Sequence, residues 1–276
     1  MSSLKNKRQR AILITVLAVV LLAGVVLLGF ILDEEKIATH LDNRNSPPSL
    51  EHLFGTDWLG RDMFTRTMMG LSLSMGVGLA GALGSTMIAA FLGMIAATMG
   101  RAADAIVSWL IDLFLSVPHL VTLILISFSL GGGAKGIIVG IALTHWPSLS
   151  RVIRAEMMQI RSAEYVQVSR RMGRPGWWIA AKHIFPHILP QLLVGFLLMF
   201  PHAILHEAAV TFLGMGLSPH QPAIGIILSE SMKYLSSGLW WLAFFPGLSL
   251  LFAVRLFDVI GGNLRLFTDP SKTHEE

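Results

Sequence analysis

Long uncharged stretches separated by short polar intervals set the pattern of this chain. The first runs from Ala11 to Leu32, preceded by Lys5, Lys7, Arg8 and Arg10 and stopped by Asp33-Glu34-Glu35. At about 1.5 Å of rise per residue it can cross some ~30 Å of hydrocarbon. A signal peptide has a shorter apolar core of about 7–15 residues, so the run predicts an uncleaved first helix. A second run, Leu71 to Met99, is dotted with Gly76, Gly78, Gly81, Gly84 and Gly93, small residues that let helix backbones approach closely in lipid. A third, from about 105 to 130, contains Asp112 and Pro118-His119. A carboxylate and a proline at membrane depth face protein or water, so Asp112 is expected to pair within the bundle and Pro118 to bend its helix. The remaining runs cover about 134–150, 191–213 and 239–260, the last opening on the interfacial pair Trp240-Trp241. Six apolar runs predict an all-α polytopic membrane protein with six transmembrane helices.

The polar intervals assign the sides. Residues 1–32 are read as a cytoplasmic N-terminus and first helix. Residues 33–69 carry Asp33, Glu34, Glu35, Asp42, Glu51, Asp57 and Asp62 against Lys36, Arg44, Arg61 and Arg66, a balance suited to the outer face. That segment ends in Gly55-Thr56-Asp57-Trp58-Leu59-Gly60-Arg61-Asp62, which reads as a tight hydrogen-bonded turn leading into the next helix. Residues 214–238, rich in Gly, Pro and Ser, are read as a second outside stretch. Residues 70–262 form the core, interrupted by a basic insert at 151–190 with Arg151, Arg154, Arg161, Arg170, Arg171, Arg174 and Lys182 against Glu156 and Glu164. The positive-inside rule places this insert in the cytoplasm. The tail 263–276, with Arg265 and Lys272, is expected there too, so both termini are cytoplasmic.

Composition sharpens this picture. Hydrophobic residues make up 53% of the chain and charged ones 14%, against about 25% charged in soluble domains. A pI near 9.7 reflects basic residues beside apolar runs, not a basic face interleaved with base-stacking aromatics, so nucleic acid is not an expected partner. The chain has no cysteine, which excludes disulfides, thiolate metal sites and cysteine nucleophiles. Gly131-Gly132-Gly133-Ala134-Lys135 lacks the spacing of a nucleotide-binding P-loop. His206-Glu207-Ala208-Ala209-Val210 begins like a zinc-protease motif, but Val210 stands where a second imidazole is required. No catalytic residue is expected. His202 and His206, four apart on one helix face with Glu207 adjacent, are candidates for a substrate path, and the two histidines also for metal ligation. The alternative is that they bond neighbouring helices.

Within the insert, Glu164-Tyr165-Val166-Gln167-Val168-Ser169-Arg170-Arg171-Met172-Gly173 and then His183-Ile184-Phe185-Pro186 resemble the "EAA" loop of bacterial ABC importer permeases. Gln167-Val168-Ser169 replaces the Glu-Ala-Ala triplet, while Gly173 and Pro186 are kept. Gly55-Thr56-Asp57-x-x-Gly60-Arg61-Asp62, the Glu207-Ala208-Ala209 to Gly216-Leu217 stretch and Pro246-Gly247 are similar to the dipeptide, oligopeptide and nickel permease group, specifically the "C" member of its permease pair. The resemblance implies a type I ABC importer permease fold (MetI-like) in a bacterial inner membrane. It implies a second, similar permease as heterodimer partner, two ABC ATPase subunits and an extracytoplasmic solute-binding protein, with lipid around the spans. ATP and magnesium would be held by the ATPases and no cofactor by this chain. The cargo would be a short peptide, nickel or a metal chelate. Glu164, Gln167, Arg170, Arg171, Gly173, Arg174, Trp177 and Pro186 are the expected ATPase-coupling residues. Arginines would bond partner carboxylates, and Met172, Trp177 and Trp178 would fill a hydrophobic cleft. The competing class is an ion-gradient-driven secondary transporter, against which stand the small number of spans, the lack of an inverted repeat and the sparse ionisable relays.

Overall fold

A computed structural model describes residues 2–268; the tail from 269 on, with Lys272, and the side chains of residues 1–7, Glu34, Trp177, Phe267 and Thr268 lie outside the described part. Ten α-helices follow in order: α1 (Ser2–Ile31), α2 (Met63–Thr98), α3 (Arg101–Ser116), α4 (His119–Ser129), α5 (Gly133–Ser162), α6 (Glu164–Arg171), α7 (Gly176–Ile179), α8 (Phe185–Phe212), α9 (Ile224–Met232) and α10 (Trp241–Thr268). A π-helical stretch, Ala180–Ile184, joins α7 to α8. Among the described residues there is no strand, only an isolated bridge between Thr56 and Asp62.

Five helices are long and apolar enough to cross a membrane, and a sixth crossing exists if α3 and α4 are taken as one span bent by 96°. The bend exceeds the simple kink expected of Pro118. Proline removes a helix-stabilising N–H and disfavours the helical region for the residue before it. Val117 is accordingly extended (φ −95°, ψ 140°), and the chain restarts as α4 at His119.

The central helix is α2. Its stripe Gly81, Ser85, Ala89 and Gly93 is buried against α5. A Cβ at Gly81 would meet Ile141, and one at Gly93 would meet Ile153. Gly78 does the same service against Ile204 of α8. The small residues thus allow backbone contact where lipid supplies no hydrophobic drive for association. Outward-facing positions are apolar as a bilayer requires: Leu13, Val20, Phe30, Met87, Phe91 and Leu251 are all more than half exposed.

Two elements differ from the sequence-based expectation. The fourth span does not stop near Ser150, because α5 continues unbroken to Ser162. Its extension is anchored sideways, Arg151 to Asp112 at 2.9 Å and Arg154 to Asp104 through both carboxylate oxygens. The supposed loop 214–238 contains α9, whose Ile224 and Ile227 are fully buried. Its apolar Ile-Gly-Ile-Ile sequence was masked by the glycine, proline and serine on either side.

At one end of the bundle Asn263 of α10 donates to the Ala11 carbonyl of α1 (3.2 Å) and to Thr15 Oγ1 (2.9 Å). The start of α1 and the end of α10 therefore lie at the same end of the bundle.

Candidate functional site

Three constellations stand out, one at each end of the bundle and one between. The first is the turn before α2. Asp62 caps the helix, its Oδ1 accepting from Thr65 N at 2.8 Å, the expected role of a short carboxylate at that position. Asp57 is more deeply committed. Its Oδ1 accepts from the backbone N–H groups of Leu59 (2.9 Å) and Arg61 (3.0 Å), and its Oδ2 from Arg61 Nε and Arg66 Nη1, both at 2.7 Å. The two guanidinium groups continue to Glu230 of α9, Arg66 at 2.8 Å and Arg61 at 3.3 Å. Arg61 also lies 5.0 Å over the Trp58 ring, which stacks on Tyr234. Gly60 takes φ +74° beneath the His40 carbonyl, where no side chain fits. Two acids and two bases thus close on one another, with Asp57 and Arg66 buried. Glu230 was not foreseen; it lies 164 residues from Arg66, so no local pattern could have marked it.

The second constellation is the insert. Val166 of α6 is fully buried among Ile153, Met157, Ile160, Ile179, Ile184 and Ile188, which seats the short helix against the end of α5 and the start of α8. The helix stops in a closed C-terminal turn: Gly173 N–H donates to the Arg170 carbonyl (3.1 Å) and Arg174 N–H to the Ser169 carbonyl (3.2 Å). Gly173 supplies the left-handed φ of +76° that this turn demands. Behind the turn, Ser169 meets His183 Nε2 at 2.9 Å, and His183 packs edge-on to Tyr165 and Trp178.

Arg174 covers the Trp178 ring at 4.8 Å, so this tryptophan serves the insert's own packing and not an external cleft. Gln167 Nε2 donates to the Arg161 carbonyl at 2.8 Å. What remains outward is Glu164, Arg170, Arg171, Met172 and Pro186, all exposed, with Met172 at 74%. Among the described residues Arg170 and Arg171 make no ion pair. The side chain of Trp177 lies outside the described residues.

The third constellation lies within the membrane. His206 of α8 does not join His202 side by side. It meets His119 of α4 and His145 of α5, with ring centroids 4.9 and 5.0 Å away. His202, exposed, has Nδ1 3.2 Å from the Leu198 carbonyl and offers its own carbonyl to His206 Nδ1 at 2.7 Å. Glu207 turns to a different face of α8 and is fully buried. Thr211 donates to its Oε1 at 2.9 Å, and Ser74 of α2 faces the same carboxyl group. Its Oε2 has no hydrogen-bond partner among the described residues. The sequence singled out His202 and His206 by their spacing; His119 and His145 carried no such local signal.

Residues 89–266 match the family model of the binding-protein-dependent transport system inner membrane component. The dipeptide transport system permease protein DppC of Bacillus subtilis (strain 168) is 33% identical over 266 residues, covering 96% of this chain and 82% of its own. A putative peptide permease protein of Brucella suis biovar 1 is 39% identical over 229 residues, covering 82% of this chain and 75% of its own. Among solved structures, an inward-facing form of the MetNI methionine ABC transporter superposes with a TM-score of 0.58 at 17% identity, over 75% of this chain and 98% of that one. At that identity the likeness is one of fold.

Proposed function

The chain belongs to the family of binding-protein-dependent transport system inner membrane components, and from that premise we propose how it works as the permease subunit of a peptide-importing ABC transporter. It pairs with a second, homologous permease, so that each supplies half of the translocation pathway. Two ATPase subunits sit on the cytoplasmic side and a solute-binding protein delivers cargo outside. Both termini face the cytoplasm, in keeping with Lys5, Lys7, Arg8 and Arg10 beside the first span. ATP and magnesium belong to the ATPases, and this chain performs no catalysis.

The observation that carries the coupling role is the exposed knob of α6, held from behind by buried Val166 and presenting Arg170, Arg171 and Met172 without internal partners. Cationic side chains on a rigid short helix are suited to charge-assisted bonds with carboxylates on an ATPase surface. When the ATPases close on ATP, the knob moves with them. Because α5 runs unbroken from the knob into the bundle, that motion is passed to the spans as a rigid-body rotation. Of the cargo classes, peptide is favoured by the relatives, which are named as dipeptide and peptide permeases. Uptake of labelled dipeptides and of labelled nickel by vesicles containing the whole transporter separates the two cargoes. ATP-dependent peptide uptake is the expected result. Uptake that persists without the ATPases would instead indicate an ion-gradient-driven carrier.

A further inference from the structure

We infer that His119, His145 and His206 form an intramembrane binding site for one divalent late-transition-metal ion, of the zinc, nickel or copper class. One ring nitrogen from each of the three lies within 4.8 Å of the others. His119 Nε2 stands 3.2 Å from His145 Nε2, and two nitrogens bound at about 2.0–2.1 Å to a tetrahedral ion stand about 3.3 Å apart. The second shell is also in place. His145 Nδ1 faces the Ile141 carbonyl at 3.2 Å and His206 Nδ1 the His202 carbonyl at 2.7 Å. With Nδ1–H donated to these carbonyls, His145 and His206 keep their Nε2 lone pairs for a ligand, the arrangement found behind metal-bound imidazoles, while His119 Nε2 also lies 3.1 Å from His145 Nδ1.

Donor chemistry decides the class of ion. Neutral imidazoles with no carboxylate among them suit zinc, nickel or copper and not the oxygen-seeking calcium or magnesium. Each of the three rings is half-buried, so the site keeps one side open and a fourth position for water or another donor. The ligands come from three helices, one of them beginning at the 96° break between α3 and α4. A bound ion therefore clamps that break to α5 and α8. Clustered ionisable side chains at membrane depth are rare and tend to mark function. The site goes beyond the transport role and holds whatever the cargo is.

Cobalt(II) titration of the purified full-length chain in detergent, followed by its visible absorption and by displacement with zinc, tests the site. The wild type is expected to bind one equivalent with tetrahedral bands that zinc abolishes. His145→Ala and His206→Ala should each weaken that equivalent by at least about 100-fold, at or above the top of the 10–100-fold range typical of lost second-shell partners. His202→Ala and His220→Ala should leave it intact. Zinc should also raise the Tm of the wild type and not of the triad variants. His119→Gln, which keeps most of the ring's volume, serves if the alanine variants fail to fold. Equal cobalt stoichiometry and spectrum in wild type and triad variants, or no tetrahedral bands in the wild type at millimolar cobalt, overturns the site without touching the transport role.

Discussion

The turn before α2 and the knob of α6 are built from similar residues and resolve them in opposite ways. Both present arginines near a short turn with a left-handed glycine, Gly60 in one and Gly173 in the other. In the first, Arg61 and Arg66 find Asp57 and Glu230 within the chain, at 2.7–3.3 Å. In the second, Arg170 and Arg171 are exposed and make no ion pair among the described residues, on a helix whose one buried residue is Val166. A charge satisfied inside the chain holds a helix in place, whereas one left outside on a rigid mount is available to a partner. On the proposed coupling role, the turn before α2 is the fixed end of the machine and the knob its handle.

The difference can be broken at either end. The largest expected effect on stability is at the turn before α2. Asp57→Ala takes from Arg66, whose side chain is 5% exposed, one of its two carboxylate partners and leaves it only Glu230, and breaking a buried ion pair by removing one partner costs about 3–5 kcal/mol. A fall in Tm of about 10 °C or a loss of membrane-inserted protein is expected, and a Tm equal to wild type would contradict the clamp. Next comes the seat of the knob. Val166→Ala removes two methyl groups from a fully buried site at a cost of about 2 kcal/mol. Limited proteolysis should then cut between α6 and α7 faster than in the wild type, while the bundle stays intact. Smaller again is Gly173→Ala, since a left-handed non-glycine residue costs about 1–2 kcal/mol. It should fray the end of α6 and lower uptake more than Tm; unaltered uptake would show that the turn does not set the knob's geometry.

Much of this contrast was legible from the chain. The glycines and polar side chains from Gly55 to Asp62 announced a hydrogen-bonded turn leading into a helix, because turns are decided by neighbours along the sequence. Small residues in the second run also foretold that this helix packs closely against others, as it does against α5. Glu230 and the histidine triad were not legible, since each depends on how distant helices cross. Spacing of four paired His202 with His206, yet the 96° break and the α4–α5–α8 crossing gave His206 different partners. Likewise Glu207, adjacent in sequence, lies on a different face and is fully buried. The outward arginines were foreseen, but the inward use of Trp178 was not: only the folded insert shows Arg174 and His183 closing over it.

The central claim is that the knob transmits force and contributes little to stability. It is tested most directly by the double variant Arg170→Glu/Arg171→Glu in vesicles carrying the complete transporter, with peptide uptake, ATP hydrolysis and Tm measured on one preparation. Exposed substitutions usually change stability by no more than about 0.5 kcal/mol, so Tm should stay within about 2 °C of wild type. Peptide uptake should fall by at least about 30-fold, as loss of a docked charge pair implies, and hydrolysis should no longer respond to cargo. Uptake at the wild-type rate in the folded variant would contradict the account.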